Sequence, residues 1–154
     1  VAIVAIHWGV PSPWLSPDQG VLAEYQQPLG RALVDAGADV VWGHHPHELH
    51  PIELYRGKPI LYGCGDFLND YEGIRGYERF RDDLTLMYFP VFGSDRRLRR
   101  FLLTPLQIHR FSLRRPADTD RGWLCHRIGE ECKKLGTRLR ESREGRFELD
   151  WEDV

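Results

Sequence analysis

The chain has 154 residues, enough for one domain with a real core, and its composition (42% hydrophobic, 29% charged, five tryptophans) is globular rather than disordered. A net charge of −2 gives no electrostatic footing for a nucleic-acid or membrane-surface partner, and no apolar run approaches the ~20 residues of a membrane span. Three cysteines, Cys64, Cys125 and Cys132, form no C-x-x-C pair, which argues against a disulfide framework and excludes a zinc ribbon.

The first predicted element is "VAIVAIH", a near-continuous apolar run from Val1 to His7. Strands buried on both faces of a parallel sheet read this way. With a strand under way at the first residue and no targeting peptide to interpret, the segment reads as the later part of a longer chain. Residues 8–19 hold Gly9, Pro11, Pro13 and Pro17 and are loop. A helical pattern starts at Asp18, with Leu22, Tyr25, Leu29, Leu33 and Val34 spaced for one face. Pro28 predicts either a kink or a fresh helix that carries it in the first turn. Gly37 is the stop signal.

"DVVWG" is the second buried strand, so the order strand–loop–helix–strand predicts a parallel crossover. Ligands of such sheets sit beyond the carboxyl ends of the strands. His7 and the cluster "GHHPHELH" both lie at those ends, so the spacing predicts that they meet at one edge. The cluster puts His44, His45, His47 and His50, four of the chain's seven histidines, within seven positions. Neutral imidazole is the commonest side-chain ligand of transition metals, and Pro46 stiffens the turn that would hold these rings. A polar turn satisfied by ordinary hydrogen bonds accounts for the same residues without a metal.

Residues 52–55 and 60–62 flank "RGKP" and predict a hairpin. The Gly-rich acidic stretch 63–83 reads as a long structured loop in which Asp66, Asn69 and Asp70 offer oxygen ligands or a base, or simply cap turns. "LTLMYFPVF" and "LRRFLLTPLQIHRF" predict a second hairpin around 93–97, whose Arg96, Arg97, Arg99 and Arg100 form a basic, solvated tip. Asp118 or Thr119 is the expected cap of a last helix bearing Trp123, Leu124, Ile128, Cys132 and Leu135 on one side. Cys125 and Cys132, seven apart, are expected to share that side. "RFELDW" reads as a terminal strand. His109 and His126 carry structural roles, and no nucleophilic-serine turn supports a Ser–His–Asp triad.

The combination of "AIHWG" at 5–9, "DAGAD" at 35–39, "GHHPH" at 43–47 and "GKPILYGCGDF" at 57–67 resembles CapA-type proteins, the poly-γ-glutamate capsule-synthesis proteins of bacteria. These are a branch of the calcineurin-like metallophosphoesterase superfamily. The resemblance covers roughly residues 1–90 and implies an α/β fold, a four-layer α/β sandwich in the complete protein. Here it would be an incomplete half with a mixed sheet and hairpins. Residues 1–115 would be the later part of that domain, and 116–154 a helix-and-strand extension of it.

The resemblance also implies a site. His7 matches the superfamily's isolated histidine after a strand, and His44, His45 and His47 match its late G-H-x-H motif with one residue inserted, so His44 and His45 compete for one ligand position. All four are then candidate metal ligands, with His7 and His44 the candidate catalytic histidines and Asp66, His50 and Asn69 the residues expected to support them. The implied cofactors are divalent transition metals (Mn, Fe or Zn), two in the complete protein. The implied partner is a phosphoester substrate or an anionic polymer. The three early motifs that supply most carboxylate and asparagine ligands are missing from this sequence. Histidines alone hold one ion more readily than two, so the segment by itself is expected to be inactive. A non-catalytic scaffold gripping polyanion through Arg96–Arg100, or an inactive truncated product, are the alternative readings.

Overall fold

A computed structural model describes residues 1–9, 22–68 and 80–151 of the chain. Two sheets and two helices make up this part, an α/β arrangement with one mixed and one antiparallel sheet. The mixed sheet has the order β1 (Ile3–His7), β2 (Val40–His44), β4 (Lys58–Leu61), β3 (Ile52–Tyr55). β1 and β2 are parallel, as the crossover spacing predicts, and their register sets His7 opposite His44. β2 and β4 are also parallel, whereas β3 and β4 form the expected hairpin. Its tight turn at Arg56 and Gly57 takes φ of 49° and 71°, the twist that suits a two-residue hairpin loop.

Helix α1 (Gln26–Asp35) starts later than Asp18 among the described residues and carries Pro28 in its first turn, where a missing N–H costs nothing. Its packing face matches the expected apolar one in part, since Leu22, Leu33 and Val34 pack on the sheet. Gln26, Gly30 and Val34 are buried, while Tyr25 and Leu29 are exposed. Gly30 is what lets the helix approach: a Cβ there would sit 3.0 Å from Ile60 and 3.2 Å from the Trp8 ring. Trp8, Val34, Val41, Ile60 and Tyr62 form the resulting apolar cluster on one face of the mixed sheet.

β1 departs from the expectation of burial on both faces. Val4 and Ile6 pack against the α1 cluster, but Ile3, on the opposite face of the sheet, is 62% exposed. The neighbouring Trp42 on β2 is likewise 50% exposed.

The second sheet is built on the predicted hairpin, β5 (Leu84–Phe92) and β6 (Leu98–His109). β7 (Ser112–Arg114) and β9 (Phe147–Trp151) add to β6, and β8 (Thr137–Glu141) adds to β9. β7 and β8 have no clear signal in the sequence; both are short and mostly exposed. Helix α2 (Asp118–Lys134) begins after Ala117 in extended conformation, so neither Asp118 nor Thr119 is its cap. Asp118 and Asp120 instead lie in the first turn, where their charge complements the helix dipole.

Leu124, Ile128 and Cys132 of α2, with Phe101, Leu103, Phe147 and Leu149, join Val40, Ile52 and Leu61 in the larger core cluster. Cys132 is buried and Cys125 half-buried, and both pack into this same cluster, as their spacing predicts. A buried link ties the two halves together, with Thr137 Oγ1 donating to the Ile52 carbonyl at 2.6 Å. All three cysteines are free, and burial pushes the Cys64 thiol up to about 12 and Cys132 to about 11, which makes both poor nucleophiles.

Candidate functional site

The carboxyl ends of β1 and β2 bring the histidines together as their spacing predicts. The His7 and His44 rings stack with centroids 5.2 Å apart and planes 7° from parallel. His45 meets His7 edge-on at 4.5 Å. To reach that position His45 takes φ = 116°, a conformation L side chains rarely adopt, at a cost of about 1–3 kcal/mol. Burial, reinforced by His7, His47 and His44, pushes its pKa below the ordinary histidine value and favours the neutral imidazole.

His47 lies two residues further on, half-buried, with its Nδ1 2.9 Å from Asp66 Oδ1. The carboxylate accepts from Nδ1–H, which fixes the ring and leaves Nε2 as the nitrogen with a lone pair. This is the arrangement that orients metal-binding histidines in general. Asp66 is thus drawn to the cluster from 19 residues away, by the loop that follows β4.

His50 does not join the others. It is buried beneath Gly63, its Nε2 lies 3.5 Å from Glu48 Oε1, and neither ring nitrogen has a hydrogen-bond partner among the described residues. A role beside the metal ligands therefore has no geometric support for His50. Asn69 and Asp70 lie outside the described residues. His109 ends β6 and His126 sits on α2, and both are exposed.

Two residues that the sequence did not single out shape the site. Trp8 follows His7, and its indole Nε1 donates to the Tyr62 carbonyl at 2.9 Å while the ring stacks on Tyr62 at 5.6 Å. Gly43 precedes His44 and makes room for that indole, since a Cβ there would lie 2.0 Å from Nε1. The backbone continues the pairing, with Trp8 N–H donating to the His44 carbonyl at 3.0 Å. The two histidine-bearing ends are thus fixed by one tryptophan. Tryptophan beside histidine in "HWG" and glycine before it in "WGH" were the available signals.

The donor set suits a divalent transition metal in kind: neutral imidazoles, one of them oriented by a carboxylate. It does not form a complete centre. Among the described residues no group of three or more His, Cys, Asp or Glu side chains is placed to hold an ion.

The basic tip is solvated, as its sequence predicts, and most of its arginines have acidic partners. Arg96 pairs with Asp39 at 2.8 Å, Arg99 with Asp95 at 2.6 Å and Arg100 with Glu148 at 2.6 Å. These are pairs at the surface, with the Arg96, Arg99 and Arg100 side chains more than half exposed. No helix among the described residues is long and apolar enough to cross a membrane.

Residues 1–71 match the family described as bacterial capsule synthesis protein. Among curated proteins the chain is 43% identical over 141 residues to a probable polyglutamine synthesis accessory protein of Mycobacterium tuberculosis, covering 90% of this chain and 35% of that protein. It is 38% identical over 109 residues to the PGA biosynthesis protein CapA of Bacillus subtilis, covering 71% and 25% of the two chains. With the capsule biosynthesis protein CapA of Bacillus anthracis it shares 34% over 93 residues, 57% and 19%. The chain spans about a third of the length of the first of these relatives and less of the others.

Proposed function

We propose that this chain, whose residues 1–71 match the bacterial capsule synthesis protein family, supplies one side of a metal-dependent phosphoesterase-like centre in a protein of polyglutamate capsule synthesis. The observation that carries this reading is the packing of His7 against His44 and His45 at the carboxyl ends of two parallel strands. His7, His44, His45 and His47 would hold a divalent transition metal (Mn, Fe or Zn), with the remaining donors coming from polypeptide outside this segment. The chemistry such an ion would supply there is Lewis acidity toward a water and a phosphoryl oxygen.

The chain's own residues prepare that chemistry. His45 stays neutral because it is buried among other imidazoles, so its lone pair is available at physiological pH. Asp66 sets the tautomer and direction of His47. Trp8 holds the two strand ends in register through Tyr62 and His44. His44 and His45 need not exclude one another, because both rings contact His7.

The test uses the intact protein. Metal content and hydrolysis of a chromogenic phosphodiester are measured for the wild type and for His47→Ala. The reading expects bound divalent metal and metal-dependent hydrolysis that the substitution sharply reduces. Activity and metal content unchanged by His47→Ala would sink it.

A further inference from the structure

A cavity of about 200 Å³ lies at the far end of the antiparallel sheet, lined by Arg115, Arg121, Arg143, Arg146, Glu144 and Pro116 among others. Four guanidinium groups in one cavity stand out in a chain whose net charge is −2. They come from three places: the junction between β7 and α2, the first turn of α2, and the turn between β8 and β9. None of these elements supplies a histidine of the cluster.

The arginines are not equivalent. Arg121 is committed to the fold, its guanidinium donating to Asp118 Oδ1 at 2.6 Å and Glu141 Oε1 at 2.5 Å. Arg115, Arg143 and Arg146 form no ion pair with another described side chain, in contrast to Arg96, Arg99 and Arg100. Their backbones are nevertheless held. Ser142 N–H donates to the Arg146 carbonyl at 2.7 Å, Gly145 N–H to the Ser142 carbonyl at 3.0 Å, and Arg146 N–H to Ser142 Oγ at 3.2 Å. Gly145 takes φ = 70°, a left-handed conformation that favours glycine, and lies beside the Arg121 side chain. On the other side Pro116 is buried and anchors Arg115. Glu144, also at the cavity, offsets only one of the three uncommitted charges.

Guanidinium forks bind carboxylate and phosphate oxygens in a bidentate fashion. No aromatic side chain lines the cavity, so the stacking that single-stranded nucleic acid uses has no platform. We propose that Arg115, Arg143 and Arg146 form a carboxylate-binding site that takes the pendant carboxylates of an acidic polymer, separate from the histidine cluster. The naming of a polyglutamate as that polymer rests on the capsule reading above; the anion site itself rests on the arginines.

The experiment measures binding of fluorescently labelled poly-γ-glutamate to the intact protein. Arg115→Gln, Arg143→Gln and Arg146→Gln are combined in one variant. A charge-matched control combines Arg56→Gln, Arg97→Gln and Arg99→Gln, all on turns or strands away from the cavity. The cavity variant is expected to bind roughly tenfold more weakly, the loss expected of three solvent-exposed ion pairs, and the control to stay within about twofold of wild type. Equal losses in the two variants, or none in either, would overturn the proposal. Inorganic polyphosphate binding more tightly than poly-γ-glutamate would overturn the carboxylate assignment. Thermal melting shows whether each variant is folded. Metal content and diester hydrolysis are read on the same variant; if they persist while polymer affinity does not change, the arginine site fails and the histidine reading stands.

Discussion

Trp8 lies directly over Gly43: its indole nitrogen reaches past the glycine to the Tyr62 carbonyl, and a methyl group on Gly43 would lie 2.0 Å from that nitrogen and 2.6 Å from the Leu61 carbonyl oxygen. The same tryptophan adjoins His7 and the same glycine adjoins His44. One close approach therefore couples the packing of the mixed sheet to the geometry of the histidines.

Gly43→Ala is expected to be severely destabilising. The methyl has backbone on one side and a buried ring on the other, so neither can move without breaking the Trp8 hydrogen bond. Overpacking of this kind costs about 3 kcal/mol or more. Urea denaturation reads it directly, and a variant within about 1 kcal/mol of wild type would show that the strand ends are not locked by Trp8.

His45 makes a different prediction, because its backbone is strained where its side chain is useful. His45→Gly relieves the strain and His45→Ala does not. The glycine variant should be more stable than the alanine variant by about 1 kcal/mol. Equal stability of the two would mean that φ = 116° carries no strain here.

Asp66 is predicted to act on a metal only through His47. In the intact protein, Asp66→Ala should weaken divalent metal binding by roughly tenfold to a hundredfold, as loss of a carboxylate that orients a ligating histidine generally does. Calorimetric titration of the metal measures this. An unchanged affinity would leave the Asp66–His47 contact as packing alone.

Acid stability should depend on Asp39. The Lys58 ammonium, the Ala2 amide and Arg96 outweigh burial and hold its carboxyl well below the usual range. The native state therefore binds this proton more weakly than the unfolded chain, so Asp39 stabilises fully above pH ~4 and its contribution is lost as pH falls below that. Asp39→Asn should lower stability at neutral pH, because Lys58 and Arg96 lose their partner, and flatten the decline below pH ~4, which begins at the ordinary carboxylate pKa of about 3.9. Parallel acid profiles for the two proteins would assign the decline to other carboxylates.

The meeting of His7 with His44 and His45 is legible in the sequence, because parallel strands joined by one crossover must end on the same side. The hairpins at 52–61 and 84–109 are legible for a related reason, since turn residues and apolar runs act locally. The buried face of α1 is not legible in this way: the seat at Gly30 depends on Ile60 and Trp8, which belong to other elements.

Sequence alone thus determined the parallel pairing of β1 and β2, the family likeness and the candidate metal ligands. Only the tertiary structure decided how each was used. It buried His50 under Gly63 and gave His47 a carboxylate 19 residues away. It also neutralised Arg96, Arg99 and Arg100 while leaving Arg115, Arg143 and Arg146 around a cavity. The reason is physical. Periodicity and turn chemistry are properties of neighbours along the chain, whereas the charge a side chain presents depends on partners such as Asp39 for Arg96 and Glu148 for Arg100, 57 and 48 positions away.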